Sequence, residues 1–523
     1  MPGPNRVLCS AATVIAASAA LWLSGCSSSS TSTGVPGLSA VPGSFAQLAD
    51  EAYAAVVSPA WSTFSNGWHY CPNYPTCGTM VGDWGADSMT NIMYERWLIT
   101  KDPVIANALL NFETQRRNLD AFSFRAHGSD VGMWDAVAKM RVYAATHDLP
   151  ALQNAETSYD GVTSLPFARG HCPGIMLQLI DSNNSPSGGG LKTLETDSNR
   201  VLAAALFAEN ETDGSLRQKY LADATATYAA IRASYFDPAF ALYTVYVLDN
   251  GTSCTQIPQR FFASVNGVMI EAGMELASLT GDSRYMDDAL ATAHAIGRLA
   301  DDRGIFTDLQ AENDIVEPLV GAMLKLALAG NGEARTWIVQ NAGAAVTART
   351  TDGLAYGRFF DGPAPSPATH PTIFQSNGGF ALMIAAAALA PMQVPATANV
   401  WVSASPQMTT ISAIPTTLPF TGSGIALFGT MGEDCASGTH GSFPGDICEN
   451  GHVRVLIDGK QMVDLTGIWQ RKAITPALPD TLLFAWRWPA SGPHKLDFQF
   501  QPGDSNPKEG DAFIHVQREL IVP

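Results

Sequence analysis

From residue 44 to residue 390 the chain alternates helix-forming segments with connections of two kinds, very short ones and long ones. Three short connections have an Asp where the next helical segment begins, at Asp102-Pro103, at Asp148-Leu149-Pro150 and at Gly281-Asp282. In each, the Asp can accept hydrogen bonds from the free N–H groups that begin the next helix, and proline suits the first turn. Gly281 suits the left-handed position that ends a helix. The first two of these Asp residues lie 46 positions apart, which predicts a repeated pair of helices.

The helical segments pair into five predicted hairpins, with one further helix before them and one after. The hairpins are 84–101 with 102–117, 130–147 with 148–159, 198–212 with 215–234, 265–280 with 282–300, and 313–329 with 332–348, and the single helices are 44–58 and 374–390. If the first and last helices pack on each other, twelve helices in six pairs form an all-α (α/α)6 barrel. The alternative is an open helical solenoid, which needs polar caps at both ends. The last helix is apolar on every side from Gly379 to Leu389, and it therefore favours the closed barrel.

The long connections all fall at the end of the predicted barrel where the inner helices begin, and each inner helix starts with a carboxylate or an amide. The connections are 59–83, 118–129, 160–197, 235–264, 301–312 and 349–373, and the polar residues are Asp87, Asp130, Glu195, Asp197, Asn266, Asp314 and Asn377. Helix capping explains any one of them, because Asp and Asn are preferred N-caps. For the whole set we favour a ligand site, because Trp84, Trp134 and Phe262 lie nearby. Sugars bind to polar groups and aromatic faces of this kind.

After residue 391 the pattern changes to short β-rich runs, which predicts a separate domain over residues 399–523. Asp458-Gly459 is a strong hairpin turn between alternating segments. About eight such runs suggest an all-β sandwich or jelly roll. Trp486 and Trp488 alternate as one buried face would require, and Trp469 is the better candidate for a surface sugar contact.

The first residues predict export and a lipid anchor. Arg6 precedes an apolar run from Val7 to Leu23, and Leu23-Ser24-Gly25-Cys26 follows. This order is typical of an export signal, and its last four residues resemble the bacterial lipobox, in which the Cys carries the lipid. We therefore expect a signal peptide over residues 1–25, a flexible tether over 26–43, and a chain held at a membrane of the bacterial cell envelope through Cys26 alone. The alternative is an ordinary signal peptide with an incidental Cys26.

Six cysteines remain beyond the leader and Cys26, and an even number in an exported protein predicts three disulfides. The sequence-local pairing is Cys71 with Cys77, Cys172 with Cys254, and Cys435 with Cys448. A zinc site is the rival interpretation, but no Cys or His pair has zinc-finger spacing. Neither a nucleotide loop nor a haem or metal motif is visible, so we expect no cofactor and no metal.

Composition and charge narrow the possible functions. The chain has 523 residues, of which 46% are hydrophobic, which excludes global disorder. The chain is longer than a single hydrophobic core usually accommodates, so at least two domains are expected. The formal net charge is −18, which argues against a nucleic-acid partner, because phosphate contacts need clustered Lys and Arg. A neutral glycan is compatible with this charge.

Three segments of the helical part resemble glycoside hydrolase family 76, the endo-α-1,6-mannanases. Ser129-Asp-Val-Gly-Met-Trp134 resembles the family's Asp-Asp-x-x-Trp-Trp helix, and Trp84-Gly-Ala-Asp87 resembles its aromatic-small-Ala-Asn helix start. Asn266-Gly-Val-Met-Ile-Glu271, followed by Leu279-Thr-Gly-Asp282, resembles its Asn-Gln-Gly helix and the turn after it. The resemblance covers about residues 44–390 and implies the same barrel. The predicted β domain resembles jelly-roll modules appended to bacterial glycosidases.

The resemblance also implies a catalytic site, with one departure. Family members act through two adjacent Asp residues, nucleophile first and acid/base second, and here the first position is Ser129 while Asp130 is retained. Retaining hydrolysis needs two carboxyl groups about 5–5.5 Å apart. Asp87 is the predicted second carboxylate, and at a wider separation from Asp130 it would give an inverting mechanism. A carboxylate at a helix start is stabilised as the anion, so Asp130 acts as an acid only if burial or a second anion raises its pKa.

We therefore expect an exported lipoprotein that hydrolyses an α-linked polysaccharide similar to α-1,6-mannan. Asp130 would be the acid/base and Asp87 its partner. The expected sugar-lining residues are Trp84, Ser129, Trp134, Glu195, Asp197, Asn266 and Asp314. One alternative is a glycan-binding lipoprotein that lost its nucleophile at Ser129. Another is a polysaccharide lyase on the same barrel, using loop residues such as Tyr70, Arg125, His127 and His171.

Overall fold

The computed structural model describes most of the helical region and part of the C-terminal region. The described residues are 44–57, 61–63, 68–70, 84–119, 129–165, 167, 170–176, 191–238, 240–249, 251–256, 262–299, 305–306, 316–347, 349, 356, 373–389, 402–405, 409–411, 416–431, 453–464, 478–500 and 514–522. The predicted signal peptide, the tether, Cys26 and Asp314 lie outside them, as do Trp469, Cys71, Cys77, Cys435 and Cys448. Within the described segments, no helix has the length and apolarity needed to cross a membrane.

The described residues form twelve helices that match the predicted hairpins closely. They are α1 (Phe45–Val56), α2 (Trp84–Thr100), α3 (Pro103–Leu119), α4 (Ser129–Thr146), α5 (Leu149–Thr163), α6 (Leu194–Asn210), α7 (Gly214–Ser234), α8 (Ala263–Thr280), α9 (Ser283–Ile296), α10 (Glu317–Leu328), α11 (Gly332–Thr347) and α12 (Ile373–Leu389). The largest differences, of four residues each, are at the starts of α6 and α10 and at the ends of α5 and α9. Helix α6 begins four residues before the predicted 198, because Thr193 caps it by accepting a hydrogen bond from the N–H of Glu195 at 3.3 Å. Helix α10 begins at Glu317, after the predicted 313.

Three of the tight turns between paired helices are built from the same Thr-x-Asp sequence. In each turn the Asp side chain caps the second helix by accepting a hydrogen bond from a backbone N–H group. The pairs are Asp102 with the N–H of Val104 at 2.8 Å, Asp148 with the N–H of Ala151 at 3.0 Å, and Asp282 with the N–H of Arg284 at 3.1 Å. The Thr hydroxyl accepts from the Asp N–H at 3.1 to 3.3 Å in all three turns. The middle residues, Lys101, His147 and Gly281, have φ of 52°, 55° and 72°. The predicted Asp caps are therefore confirmed, and the left-handed position is filled by glycine in only one of the three turns.

The helices close into a ring. The inner helices α2, α4, α6, α8, α10 and α12 each pack on the next, and α12 packs on α2. Helices α3, α5, α7, α9 and α11 lie outside, each against the inner helix that precedes it, and α1 packs on α12 as the sixth outer helix. Short turns make each outer helix antiparallel to its inner partner, so the six inner helices run parallel to one another. The predicted closed barrel is confirmed, and the open solenoid is excluded for this part of the chain.

Glycine permits a close approach between the inner helices α8 and α10. A Cβ atom at Gly267 of α8 would lie 2.4 Å from the backbone N of Leu319 and 2.5 Å from its Cα. Because both of these atoms belong to the backbone of α10, no side-chain rotation can relieve such a clash. The two helices can pack this tightly only without a side chain at position 267.

Replacing Gly267 by alanine should therefore separate α8 from α10 and destabilise the protein by about 2–3 kcal/mol. The control is Gly214→Ala at the first position of α7, where a Cβ would meet nothing within 4 Å. That variant should be neutral or slightly stabilised, because alanine favours helix. Urea denaturation of both variants measures the difference. Equal midpoints for the two would show that the contact between α8 and α10 is not tight.

Short strands line the end of the barrel where the inner helices begin. Strands β1 (Trp61–Thr63) and β2 (Trp68–Tyr70) form one antiparallel pair, and β4 (Phe236–Asp237) and β5 (Leu242–Tyr243) form another. Strands β3 (Leu191–Thr193), β6 (Tyr246–Asp249) and β7 (Cys254–Gln256) make a three-stranded sheet with β6 in the centre. A disulfide joins Cys172 to Cys254, which confirms one of the three predicted pairings. It links the loop before α6 to the loop before α8.

The C-terminal region contains seven described strands in a single antiparallel sheet. They are β8 (Val402–Ser405), β9 (Thr409–Ile411), β10 (Thr416–Met431), β11 (Val453–Ile457), β12 (Lys460–Asp464), β13 (Leu478–Phe500) and β14 (Ile514–Val522). The order is β12-β11-β13-β10-β14-β8, and β9 also pairs with β14. The predicted hairpin turn is confirmed, with φ of 52° at Asp458 and 77° at Gly459. The sandwich or jelly-roll arrangement and the exact domain boundaries stay predictions.

One aromatic cluster packs on this sheet. Trp488 is half-buried and stacks on His494, with ring centroids 4.0 Å apart, and Phe420 lies 5.2 Å from Trp488. Asp458 accepts hydrogen bonds from the Trp488 indole at 3.1 Å and from the Lys495 backbone at 3.0 Å. Trp488 therefore contributes to packing, as its alternation with Trp486 predicts. The side chain of Trp486 lies outside the described set.

Candidate active site

Two carboxylates lie at the starts of the neighbouring inner helices α4 and α6. Asp130 is the second residue of α4 and Glu195 the second residue of α6. The helices are joined at this level by Ser129 and Thr196, whose hydroxyl oxygens lie 3.1 Å apart. Both hydroxyls are buried, whereas Asp130 and Glu195 are only partly buried.

The contact between Ser129 and Thr196 determines where the carboxylates point. Successive helix residues are turned by about 100° around the axis. Since α4 and α6 run parallel, the residue after Ser129 and the residue before Thr196 are turned to the same side of the line that joins the two axes. Asp130 and Glu195 therefore face the same side, and their partial exposure shows that this side is the open one.

The two carboxylates have well-separated pKa values. Burial raises the pKa of Asp130 to about 6, although hydrogen bonds from the backbone N–H groups of Asp130 and Val131 act in the opposite direction. Burial, and after it the charge of Asp130, raise the pKa of Glu195 to about 8. Near pH 7 Asp130 is therefore mostly ionised and Glu195 mostly protonated. Two carboxyl groups with pKa values pushed apart in this way suit acid and base roles in one reaction.

Asp87 and Trp134 are more enclosed than the sequence alone indicates. Asp87, in the first turn of α2, is fully buried, and Trp134, on α4, is 4% exposed and packs in the core of the barrel. The side chain of Trp84 lies outside the described set. Asp87 stays a predicted catalytic partner, but its side chain is fully buried, whereas Glu195 is partly exposed, as Asp130 is.

Asn266 and Asp197 bind the chain's own loops. The Asn266 amide accepts from the backbone N–H of Tyr243 at 3.0 Å and donates to the carbonyl oxygens of Tyr243 at 3.1 Å and Phe262 at 2.9 Å. Asp197 accepts from the Met176 N–H at 3.2 Å and from the Tyr235 hydroxyl at 3.3 Å. Both side chains are fully buried. They therefore hold loops against the inner helices, which differs from the sugar-lining role predicted for them.

Polar side chains near the start of α12 also bind the backbone of neighbouring segments. Asn377 accepts from the backbone N–H groups of Val316 and Glu317, each at 3.2 Å. Ser376 accepts from the Tyr356 N–H at 3.2 Å and donates to its carbonyl at 2.9 Å. At α12, α8 and α6, polar side chains near the helix start thus anchor neighbouring chain segments. Among the polar side chains described at the inner-helix starts, Asp130 and Glu195 differ in being partly exposed.

A buried ionic network lies among the inner helices, and the sequence analysis did not predict it. Arg141 donates to Glu271 at 2.7 Å and lies 3.7 Å from Glu317. Lys325 donates to Glu271 at 2.8 Å. Helix α2 also brings the buried Glu95 beside Glu317 and Arg141. The signal that could have revealed the network is the presence of single charged residues on inner helices that are otherwise apolar and small.

The network shifts the pKa values of its carboxyl groups in opposite directions. Burial would raise the pKa of Glu271, but Arg141 and Lys325 overcome it and lower the value to about 2. Burial raises the pKa of Glu317 to about 7 despite the opposing charge of Arg141. Burial and the nearby Glu317 hold the pKa of Glu95 well above its usual range. Glu271 is therefore ionised at neutral pH and balances the cations, while the surroundings of Glu95 favour its protonated form.

The described residues contain no group of three or more His, Cys, Asp or Glu side chains that could hold a metal ion.

Comparison with known proteins identifies the fold of the helical part. No protein-family profile matches the chain, and no curated protein sequence matches it. The α-1,6-mannanase of glycoside hydrolase family 76 from Salegentibacter sp. HEL1_6 has a similar structure, with a TM-score of 0.53 at 16% identity, covering 66% of this chain and 100% of that one. The Lin0763 protein of Listeria innocua gives a TM-score of 0.53 at 17% identity, over 66% and 97% of the two chains.

The Salegentibacter enzyme has also been crystallised as an inactive variant with α-1,6-mannotriose bound. In that variant two consecutive aspartates are replaced by asparagines, and it matches this chain with a TM-score of 0.51 at 17% identity, over 66% and 100% of the two chains. At these identities the likeness establishes a shared (α/α)6 fold. The resemblance to family 76 that the sequence motifs indicate is thus matched by the structure.

Proposed function

We propose that this protein is a glycoside hydrolase that cleaves an α-linked polysaccharide of the α-1,6-mannan type at the open end of its barrel. The observation that carries the proposal is Asp130, a partly exposed carboxylate at the start of an inner helix, with a second carboxyl group, Glu195, on its open side. Glycoside hydrolysis requires such a pair. The α-linked mannan is proposed because structures of the same fold include α-1,6-mannanases.

The surroundings of the pair are compatible with a neutral glycan. The chain carries a formal net charge of −18, which repels polyanions but has little effect on an uncharged sugar. Asp130 is held by a helix N-terminus, which favours its anion. A site of this kind can stabilise positive charge that develops on a sugar ring.

The test is release of reducing ends by the soluble chain that starts at Ser27. The substrates are yeast α-mannan debranched to its α-1,6-linked backbone and, as a control of the same sugar, a β-linked mannan. We expect release from the α-linked polymer and none from the β-linked one. If both polymers stay intact, or if only the β-linked one is cleaved, the proposed substrate is wrong.

A second candidate function follows from Ser129, which occupies the position of the first catalytic Asp in the family resemblance. In this alternative the protein binds the glycan without cleaving it. Calorimetric binding of α-1,6-mannotriose without any hydrolysis, together with activity gained in a Ser129→Asp variant, would favour it. Hydrolysis by the parent chain excludes it.

We also infer that the protein is exported and anchored by a lipid on Cys26. The support is the sequence pattern of residues 1–26 alone, and these residues lie outside the described part of the structure. A hydrolase placed in this way would act on glycans at the cell envelope.

A further inference from the structure

We propose that Glu195 is the proton donor of the reaction and that Asp130 activates a water molecule, so that the sugar released has inverted anomeric configuration. This inference rests on the proposed function. Glu195 thereby receives a catalytic role, whereas the sequence predicts only a contact with the sugar. The inference also specifies the stereochemical outcome of the reaction.

The geometry first selects Glu195 as the partner of Asp130. A proton donor must reach the glycosidic oxygen, so it must face the open side of the site. Glu195 faces the same open side as Asp130, because the contact between Ser129 and Thr196 sets both of them there. Asp87 is fully buried in the first turn of α2. Glu195 is therefore the better placed of the two carboxyl groups.

The geometry next favours inversion. Asp130 and Glu195 project from two parallel neighbouring helices in nearly the same direction, and neither points along the line between the axes. Their Cα atoms are therefore separated by about the distance between packed helices, roughly 8–10 Å, which leaves room for a water molecule between the two side chains. Retaining enzymes need about 5–5.5 Å, whereas inverting enzymes use about 6.5–9.5 Å because a water molecule lies between sugar and base.

The residue next to Asp130 is consistent with this arrangement. Ser129 has a hydroxyl group that is buried against Thr196 at 3.1 Å. Its oxygen is engaged between the helices, away from the open side, so it is not placed to attack a sugar. The nucleophile must then come from solvent, and water activated by Asp130 fulfils that role.

The reaction balances without any cofactor. The oxygen of the water forms a bond to the anomeric carbon as the bond from that carbon to the glycosidic oxygen breaks. One proton of the water passes to the Asp130 carboxylate, and the proton of Glu195 passes to the departing oxygen. Exchange with solvent then removes the proton from Asp130 and restores that of Glu195. One water molecule is consumed for each bond cleaved.

The first experiment follows the anomer that forms initially. Proton NMR spectra recorded during rapid hydrolysis of an α-1,6-linked manno-oligosaccharide should show the β-anomer first, with the α-anomer growing later by mutarotation. Initial formation of the α-anomer would overturn the assignment of inversion.

The second experiment tests Glu195 as the acid, with Glu195→Gln and the control Glu209→Gln on the same helix. Glu209 is exposed near the other end of α6. On the mannan, Glu195→Gln should lose about 10²–10⁴-fold in kcat, the usual contribution of a general acid. On a nitrophenyl glycoside of α-1,6-mannotriose the loss should be about tenfold or less, because nitrophenolate leaves without a proton. Glu209→Gln should match the parent on both substrates.

The same variant should change the pH profile. The parent should show a bell-shaped kcat/KM with an acidic limb near 6 and an alkaline limb near 8, and Glu195→Gln should lose the alkaline limb on the nitrophenyl substrate. Equal losses on both substrates, or a retained alkaline limb, would overturn the role of Glu195. A parent inactive on every glycan would overturn the proposed function and this inference together. An active parent with an unaffected Glu195→Gln variant overturns the inference alone.

Discussion

Replacing Asp130 by asparagine is expected to lower kcat for hydrolysis of the α-mannan by about 10³-fold or more. Both the proposed function and the water-activating role require the Asp130 anion, and an amide of the same shape can neither accept the proton nor balance positive charge. The backbone N–H groups of Asp130 and Val131 that favour the anion can still bind the amide oxygen, so the fold should persist. The measurement is steady-state kinetics on the mannan, with circular dichroism to verify folding.

The matched control is Asp287→Asn, which neutralises an exposed carboxylate on α9. It should leave kcat unchanged. Parent-like hydrolysis by Asp130→Asn would remove this carboxylate from the mechanism and with it the observation on which the proposed function depends.

Replacing Arg141 by methionine should destabilise the folded protein by about 3–5 kcal/mol. The variant removes the cation that donates to Glu271 at 2.7 Å and lies 3.7 Å from Glu317. Removal of one partner from a buried ion pair leaves an uncompensated charge in a region of low polarity, and costs of this size are usual. Urea denaturation at pH 7 measures the loss.

The comparison is Arg232→Met, which breaks the bidentate pair of Arg232 with Asp288. The Arg232 side chain is 48% exposed, so this loss should stay within about 1 kcal/mol. The loss of stability caused by Arg141→Met, measured as the free energy of unfolding, should also be smaller at pH 5 than at pH 8. Burial raises the pKa of Glu317 to about 7, so between pH 8 and pH 5 it takes up a proton and less negative charge is left unbalanced. Equal deficits for the two variants would mean that solvent reaches the network.

The sequence predicts the helices well because their signals are local. The Asp residues of the Thr-x-Asp turns mark where helices begin, and each cap needs only neighbouring backbone N–H groups to act. Lys101 and His147 occupy the left-handed position without being glycine, so the surrounding cap fixes that conformation. Ring closure was predictable for a related reason, since a helix that is apolar on all sides must be enclosed on all sides.

The site was harder to predict because the partners of its residues are far away along the chain. Ser129 and Thr196 are separated by 67 positions, so no motif around Asp130 could reveal that Glu195 shares its open side. Asn266 is an amide at a helix start, as Asp197 is a carboxylate there, and the choice between binding sugar and binding a loop depends on tertiary packing. The network around Arg141 was missed for the same reason, because its charges come from four different hairpins.

The pairing of α1 with α12 has a consequence for synthesis of the protein. Helix α1 leaves the ribosome first, but the inner helix that it covers is residues Ile373–Leu389. At the usual elongation rates of about 5–20 residues per second, the first helix waits roughly 20–70 s for its partner. During that time α2 and α10 also lack the neighbour that lies between them in the ring. The barrel therefore closes late and as a whole, and a nascent chain that ends before residue 373 should stay a target for chaperones.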